Sequence, residues 1–425
     1  MVAIPLQETS MNLLDSLHPQ PASWLHNSNL SPIVSGYVQR LETLHYSART
    51  IRGYVYCVAH FAYWLRNREV DVQDISESLI HGFLAEHLPH CSCPSPVQRS
   101  LHQSRTALRH LLRALPDSGF LVDRRITDPI DDQLELFDRH MLRTMGLASS
   151  TRSRRIKIIR SLLRLCVKDN VKAELTPTPE SLRIFLAKEL TRLSPASAGS
   201  ITGAVRCFLK FLAFHGASVA HLLPVVVSPA HWRLAPLPQV LSRDEVKQLL
   251  DAFAPTLPSN RRGYAMVRCL IDLGLRVKEV TGLELDDIDW SAGTVRIRRG
   301  KCRRDDVLPL PPSTGLAIAE YLRSERPSTA NRHIFVRHVA PFDEPIKSDV
   351  VRNTVRQAYR RCGLPHTRVH MLRNTLASRL LYSGGTLKEV SDILRHRALD
   401  TSMIYAKVDL KRLSAVAMPW AGSTP

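Results

Sequence analysis

The first half of the chain carries one dominant hydrophobic pattern, in which apolar residues recur at spacings of three and four. In the segment 50–66 these positions include Ile51, Tyr54, Val55, Val58, Phe61, Ala62 and Leu65. This is the period of a helix with one buried face, so the segment predicts an amphipathic helix. Similar segments between Ser31 and Leu115 predict a helical unit over residues 31–120. Residues 1–30 are polar and contain prolines, and they predict a loose lead-in.

The same pattern then returns in a second stretch of the chain. Three blocks match earlier ones in the same order: 151–167 with 50–66, 184–190 with 82–88, and 203–210 with 106–113. Matched blocks in a conserved order favour an internal duplication over chance likeness between helices. The sequence therefore predicts a second helical unit over residues 131–222.

The helical pattern stops at a proline- and valine-rich stretch, residues 223–240, which predicts an extended linker. A last domain over 241–425 opens with Ser242 and Glu245, the spacing of a helix capping box. It then alternates helix-like segments with two short strand-like segments around Gly300. The predicted fold class is mainly α, with a small β-sheet in the last domain.

The charge balance narrows the class of partner. Lysine plus arginine exceed aspartate plus glutamate by 58 − 39 = +19, and the isoelectric point is about 10.0. An excess of this size favours a polyanionic partner, nucleic acid before an anionic membrane surface, although a merely basic surface is the alternative. The segment 152–160 holds five cations and no acid, and its candidate phosphate contacts are Arg152, Arg154, Arg155, Lys157 and Arg160. In the first unit the corresponding candidates are Arg49 and Arg52; the alternative for both sets is a solvated face.

The cysteines and the apolar runs bear on the compartment. Eight cysteines are scattered along the chain, five of them singly inside helix-like segments, which fits a reducing compartment better than a disulfide framework. The N-terminus lacks the charged and apolar regions of a signal peptide, and no apolar run approaches the length of a membrane span. The expectation is a cytoplasmic protein without a membrane partner.

The candidate chemistry lies toward the end of the chain. His370 and Arg373 are three residues apart, so on a helix they share a face. His396 and Tyr405 follow after a Gly-Gly break. Arginine binds phosphate oxygens as a fork, histidine moves protons near neutral pH, and a tyrosine oxygen can attack to form a covalent intermediate. This set of side chains suits work on a phosphodiester.

Further upstream, two ordinary-looking features complete the set. Arg276 and Glu279 follow a Leu-Gly-Leu corner, and alone they would be a surface ion pair on a helix. Lys301 lies near the turn between the two predicted strands. By composition alone it is an ordinary basic residue in a basic hairpin.

Taken in order, these residues resemble the catalytic domain of the tyrosine recombinases, the phage-integrase family. The matching positions are Arg276, Lys301, His370, Arg373, His396 and Tyr405. The resemblance implies that the two arginines clamp the scissile phosphate and that Tyr405 forms a 3′-phosphotyrosyl ester. It further implies that Lys301 protonates the leaving 5′ hydroxyl, that His370 assists proton transfer at Tyr405, and that His396 binds a phosphate oxygen. Glu279 would orient the arginines.

The resemblance also implies duplex DNA as substrate, no ATP or metal cofactor, and a synaptic tetramer of this chain or a complex with other recombinases. The expected protein is an enzyme of a bacterial mobile element, associated with the nucleoid when it is bound to DNA. Two alternatives stay open, an accessory DNA-binding subunit and a nicking–closing enzyme of the type IB topoisomerase kind. Two positions depart from the family pattern: Asn374, where histidine is common, and Arg395, where glycine is usual.

A histidine- and cysteine-rich stretch in the first unit is a candidate zinc site. His87, His90, Cys91 and Cys93 lie close together, but their spacing is not Cys-x-x-Cys, and no second pair lies at finger distance. The sequence favours a loop between helices, with no metal.

Overall fold

The computed structural model describes residues 17–115, 129–169, 175–193, 195–228, 237–253, 259–298, 305–396 and 401–407. These fall into two compact units, one from positions 1–123 and 237–425 and the other from positions 124–236. Among the described residues, no helix is long and apolar enough to cross a membrane.

The N-terminal part of the first unit is a bundle of helices. Its helices are α1 (Pro19–His26), α2 (Ser31–Thr43), α3 (Ala48–Arg66), α4 (Glu77–Gly82) and α5 (Leu101–Ala114). A π-helical turn, Phe83–His87, continues α4. The core positions predicted from the spacing, such as Val55, Val58 and Phe61, are fully buried.

The predicted loose lead-in over 1–30 is wrong at its C-terminal end. Residues Pro19–His26 form α1, in which Trp24 and Leu25 are buried. The ring of Trp24 stacks on that of Tyr63 at 4.6 Å between centroids, so burial of aromatic surface anchors this short helix. Its polar composition concealed the three apolar residues that face the bundle. Residues 1–16 lie outside the described residues.

The second unit is also helical. It contains α6 (Pro129–Arg143), α7 (Ser149–Asp169), α8 (Pro179–Leu190) and α9 (Pro195–Phe214), followed by a 3-10 turn at Ala220–Val225. Ile159, Leu162 and Leu163, the partners of Val58, Phe61 and Ala62 in the sequence match, are buried like them. This agreement supports the inferred duplication, which stays an inference.

The C-terminal part of the first unit combines helices with a small sheet. Its helices are α10 (Arg243–Asp251), α11 (Asn260–Asp272), α12 (Val277–Thr281), α13 (Pro312–Ser324), α14 (Ser348–Arg361), α15 (His370–Tyr382), α16 (Leu387–Ile393) and α17 (Met403–Ala406). The predicted capping box at the start of α10 is present, since Ser242 and Glu245 each bond the other's backbone N–H.

The sheet has three antiparallel strands in the order β1 (Ile288–Asp289), β2 (Thr294–Ile297) and β3 (Asp306–Pro309). Val295 pairs with Leu308, and both face the core, so the alternation read from the sequence sets the register. The mainly helical fold with a small sheet is as predicted. Lys301 and the connection 299–304 lie outside the described residues.

Candidate active site

The site begins at a tight corner between α11 and α12. Gly274 has φ of +58°, and a Cβ there would lie 2.8 Å from Leu394 and 2.9 Å from Leu376. Only glycine meets both demands, a left-handed backbone and a close approach of two leucines. The corner therefore brings the chain leading into Arg276 against the segment that ends α16.

Arg276 is held by Glu279 in two ways. The Glu279 carboxylate accepts the backbone N–H of Arg276 at 2.7 Å and its guanidinium at 2.7 Å. A second guanidinium, that of Arg395, donates to the same carboxylate at 2.6 Å. Burial by itself raises the pKa of Glu279, but Arg395 and Arg276 overcome that effect, so the pKa is lowered and the group is ionised.

Arg395 closes this network through both its side chain and its backbone. Its φ is +53°, the left-handed region that glycine favours, and its carbonyl accepts from Arg276 at 3.3 Å. The ion pair with Glu279 offsets the strain of that backbone. The departure from glycine noted in the sequence is thus a part of the site's frame.

Arg373 lies deeper, with 2% of its surface exposed. Its two terminal nitrogens donate to the carbonyls of Gly274 and Leu394, and its Nε has no hydrogen-bond partner among the described residues. Its pKa is lowered to about 9, mainly by burial and to a lesser extent by the charges of Arg276 and Arg395. It is still protonated at neutral pH, so a positive charge is held in the interior.

His370 is the first residue of α15, and it is exposed to solvent. Partial desolvation, followed by the charges of Arg373 and Arg276, lowers the pKa of its imidazole. The ring is therefore neutral at pH 7 and able to accept a proton.

His396 and Tyr405 face each other. Their rings are nearly parallel, with an interplanar angle of 6° and centroids 6.4 Å apart. The Nδ1 of His396 lies 2.7 Å from the hydroxyl of Ser402. The pKa of His396 is lowered to about 4, mainly by burial and to a lesser extent by the charges of Arg373 and Arg276. This ring is therefore also neutral.

Tyr405 is 2% exposed, and its hydroxyl donates to Oδ1 of Asn374 at 2.9 Å. Burial raises the pKa of Tyr405, whereas Arg373 and Arg276 act in the opposite direction. The same arginines that perturb both histidines thus also act on the phenol, which shows that the five side chains share one electrostatic environment.

The charges around this environment do not balance. Three guanidinium groups, those of Arg276, Arg373 and Arg395, meet one carboxylate, Glu279, among the described residues. The histidines are neutral. The result is a partly buried region with an excess of positive charge, which suits a bound anion.

The structure thus brings together Arg276, Glu279, His370, Arg373, His396 and Tyr405. Three further residues of the site were missed as participants. Arg395 and Asn374 stood out in the sequence only as departures from a family pattern. Ser402, three residues before Tyr405, gave no signal.

The basic residues of α7 differ in whether their side chains have partners within the second unit. Arg152 pairs with Asp138 at 2.9 Å and Arg160 with Asp131 at 2.6 Å, so their charges are compensated within the unit. Arg155 donates to the sulfur of Cys207 at 3.0 Å. Arg154 and Lys157 are exposed on the same helix, as are Arg49 and Arg52 in α3.

Comparisons with known proteins agree on one family. Residues 239–412 match the sequence model of the phage integrase family. The chain is 33% identical over 383 residues to the putative integrase/recombinase y4rA of Sinorhizobium fredii, covering 89% of this chain and 91% of that relative. It is 30% identical to the tyrosine recombinase XerC of Pelobacter propionicus, over 55% of this chain and 76% of that relative.

A solved structure has the same fold. The crystal structure of the XerH site-specific recombinase bound to palindromic difH substrate, a post-cleavage complex, superposes with a TM-score of 0.53. The identity is 17%, over 69% of this chain and 97% of that one. On the sequence relationships, the chain belongs to the phage integrase family and is a tyrosine site-specific recombinase.

Proposed function

We propose that this recombinase cuts and rejoins duplex DNA through a covalent 3′-phosphotyrosyl intermediate on Tyr405, without ATP or a metal ion. The observation that carries the proposal is the excess of positive charge beside a buried tyrosine. Three guanidinium groups surround one carboxylate, and they act on Tyr405 and on both histidines.

The charge excess explains how the phosphate is activated. A phosphodiester carries one negative charge, and the transition state for attack at phosphorus carries more charge on its non-bridging oxygens. Arg276 and Arg373, held by Glu279 and by backbone carbonyls, are fixed donors for those oxygens. Donors that need no reorganisation stabilise the transition state more than the ground state.

The histidines have separate roles. When the Ser402 hydroxyl donates to Nδ1 of His396, the proton of the neutral ring is on Nε2, which can then donate to a phosphate oxygen. His370, neutral and exposed, can accept the phenolic proton of Tyr405 as its oxygen bonds to phosphorus. The Tyr405 hydroxyl must first leave its hydrogen bond to Asn374, whose amide oxygen cannot take up a proton.

The reaction balances without an external reagent. The Tyr405 oxygen forms a bond to phosphorus, and the bond to the 5′ oxygen breaks; Lys301 supplies the proton to that leaving oxygen. The ester conserves the bond energy, so a 5′ hydroxyl from another strand can reverse the step and join new ends. Strands must be exchanged between two duplexes. This requires a synaptic assembly of several copies of this chain, or of this chain with other recombinases.

The setting proposed for this activity is a bacterial mobile element, with the enzyme acting on nucleoid DNA in the cytoplasm. The exposed cations Arg154, Lys157, Arg49 and Arg52 are the proposed DNA contacts. Arg152, Arg155 and Arg160 are proposed to contribute less, because their guanidinium groups already have partners within the second unit.

The direct test is to trap the intermediate. The full chain is incubated with nicked duplexes from its own flanking DNA, without added Mg²⁺ or nucleotide, and denatured before electrophoresis. Wild type should give a covalent protein–DNA band that Tyr405→Phe lacks. Tyr382→Phe is the matched control, since Tyr382 ends α15 and is 65% exposed, and it should keep the band.

Other outcomes point elsewhere. Absence of a band on DNA that the chain demonstrably binds would favour an accessory subunit. A band that persists in Tyr405→Phe would mean that another residue is the nucleophile. Relaxation of supercoiled DNA by a monomer, irrespective of sequence, would favour a nicking–closing enzyme of the type IB topoisomerase kind.

A further inference from the structure

Four side chains of the types that ligate metals converge in the N-terminal helical bundle, and none of them belongs to the active site. They are His60 on α3, His87 at the end of the π-helical turn, and Cys91 and Cys93 in the loop that follows. One ligand atom of each lies within 4.8 Å of the corresponding atom of every other. His87, Cys91 and Cys93 are close in the sequence, and the fold brings His60 on α3 to them.

The separations fit a tetrahedral zinc ion. With Zn–N bonds of about 2.0–2.1 Å and Zn–S bonds of about 2.3 Å, a tetrahedron places two nitrogens about 3.3 Å apart and a nitrogen and a sulfur about 3.5 Å apart. The Nε2 atoms of His60 and His87 are 3.3 Å apart. Cys93 Sγ lies 3.5 Å from His87 Nε2, and Cys91 Sγ lies 3.2 Å from His60 Nε2.

The surroundings orient these ligands. His60 is 0% exposed, and its Nδ1 lies 3.2 Å from the backbone carbonyl of Gln98. A carbonyl only accepts, so Nδ1 carries the proton, and the lone pair of Nε2 points at the other three ligand atoms. This is the arrangement by which a ligating histidine is held in place by a backbone carbonyl. The backbone N–H of Cys93 likewise donates to the sulfur of Cys91 at 3.4 Å.

The aromatic ring of Phe83 covers one side of the four side chains. Phe83 packs edge-on against His60 at 5.2 Å between ring centroids and stacks on His87 at 5.3 Å. This ring limits the access of water, and four protein ligands leave no open position for a substrate. These are the properties of a structural zinc site, not of a catalytic one.

We propose that His60, His87, Cys91 and Cys93 bind one zinc ion that ties the 91–100 loop to α3. The sequence favoured a loop without metal because His87, His90, Cys91 and Cys93 lack Cys-x-x-Cys spacing and a second pair at finger distance. In the structure His90 is exposed, and His60 on α3 is the fourth side chain of the set. The ion would fix the loop that leads into α5, and thereby the position of α5 on the bundle core.

Metal analysis of the purified full chain tests the proposal. Wild type should retain about one zinc per chain after dialysis, and His60→Ala, Cys91→Ser and Cys93→Ser should each lose most of it. His90→Ala is the matched control, a neighbouring histidine outside the set, and it should retain the zinc. Zinc content that is negligible in wild type even after zinc is added, or equal in wild type and the ligand variants, would overturn the site.

A second measurement on the wild-type chain does not depend on a variant folding. Zinc should protect Cys91 and Cys93 from alkylation, read by mass spectrometry of the peptides, and a chelator should remove the protection. Cys362, partly exposed in the C-terminal part, serves as the internal control and should react equally in both conditions. Equal reactivity of Cys91 and Cys93 with and without zinc would contradict the proposal.

Discussion

Arg395 shows how one residue can be costly for the backbone and still be useful to the site. Its φ of +53° is strained for any residue with a Cβ, and its guanidinium holds Glu279 at 2.6 Å. Arg395→Gly and Arg395→Ala both remove the ion pair, but only glycine also relieves the strain. We expect the glycine variant to be more stable than the alanine variant by about 1 kcal/mol, measured by urea unfolding. An alanine variant as stable as the glycine variant would mean that the backbone is not strained there.

Within the described part of the chain, Glu279 is the carboxylate that pairs with both Arg276 and Arg395, so its charge should matter for stability. Removing one partner of a buried ion pair costs about 3 kcal/mol or more, and we expect a loss of this order in Glu279→Gln at pH 7. The pKa of Glu279 is lowered in the folded chain. Its contribution is therefore fully present above the ordinary value of 4.5 and is lost as the pH falls through the folded pKa. The stability gap between wild type and the variant should shrink as unfolding is measured at pH values below 4.5.

Glu42 provides a control of opposite sign for that experiment. Burial raises the pKa of Glu42, so its ionised form is disfavoured by folding and its contribution rises as the pH falls. Glu42→Gln should therefore not destabilise the chain at pH 7. A gap for Glu279→Gln that stays constant from pH 7 down to pH 3 would contradict the assigned ionisation.

At the scale of elements, the corner between α11 and α12 determines where the arginines lie. A Cβ at Gly274 would approach Leu394 and Leu376 within 3 Å, whereas Gly293, also at positive φ, has nothing within 4 Å. Gly293→Ala should cost about 1 kcal/mol from backbone strain alone. Gly274→Ala adds crowding in a packed core, about 1–3 kcal/mol more, and shifts the carbonyl that Arg373 binds. Urea unfolding and the covalent-trap assay should separate the two, with covalent complex lost only in Gly274→Ala.

Elements with a strong local signal could be predicted from the sequence, and long-range contacts could not. The capping box of Ser242 and Glu245 and the alternation of β2 and β3 are properties of neighbouring residues, and the structure contains both. Helix α1 was missed because its burial depends on Tyr63, far along the chain. The role of Ser402 was missed for the same reason, since its hydroxyl acquires meaning only when the fold brings it to His396.

The structure brings together those predicted active-site side chains that it describes, although their spacing in the sequence alone does not predict this. His370 and Arg373 share a helix face, which the sequence shows, but their meeting with Arg276 requires the corner at Gly274. That meeting was anticipated only through the resemblance to a known family. No pattern indicated that Arg395 would form the ion pair with Glu279, because nothing in a sequence says that a residue in place of glycine will keep a left-handed backbone.

For the whole molecule, the net charge of +19 implies that DNA binding should depend strongly on salt. Each phosphate contact releases counterions and contributes about −0.9 to the slope of log K against log salt. In a Tyr405→Phe background, where cleavage does not interfere, Arg154→Ala and Lys157→Ala should each reduce the steepness of that slope by about one. Arg152→Ala should change it less, because Asp138 already compensates that charge. Slopes for Arg154→Ala and Lys157→Ala that equal the slope of the Tyr405→Phe background would place the DNA contacts away from these two residues. A larger change in Arg152→Ala would show that its pair with Asp138 opens on DNA.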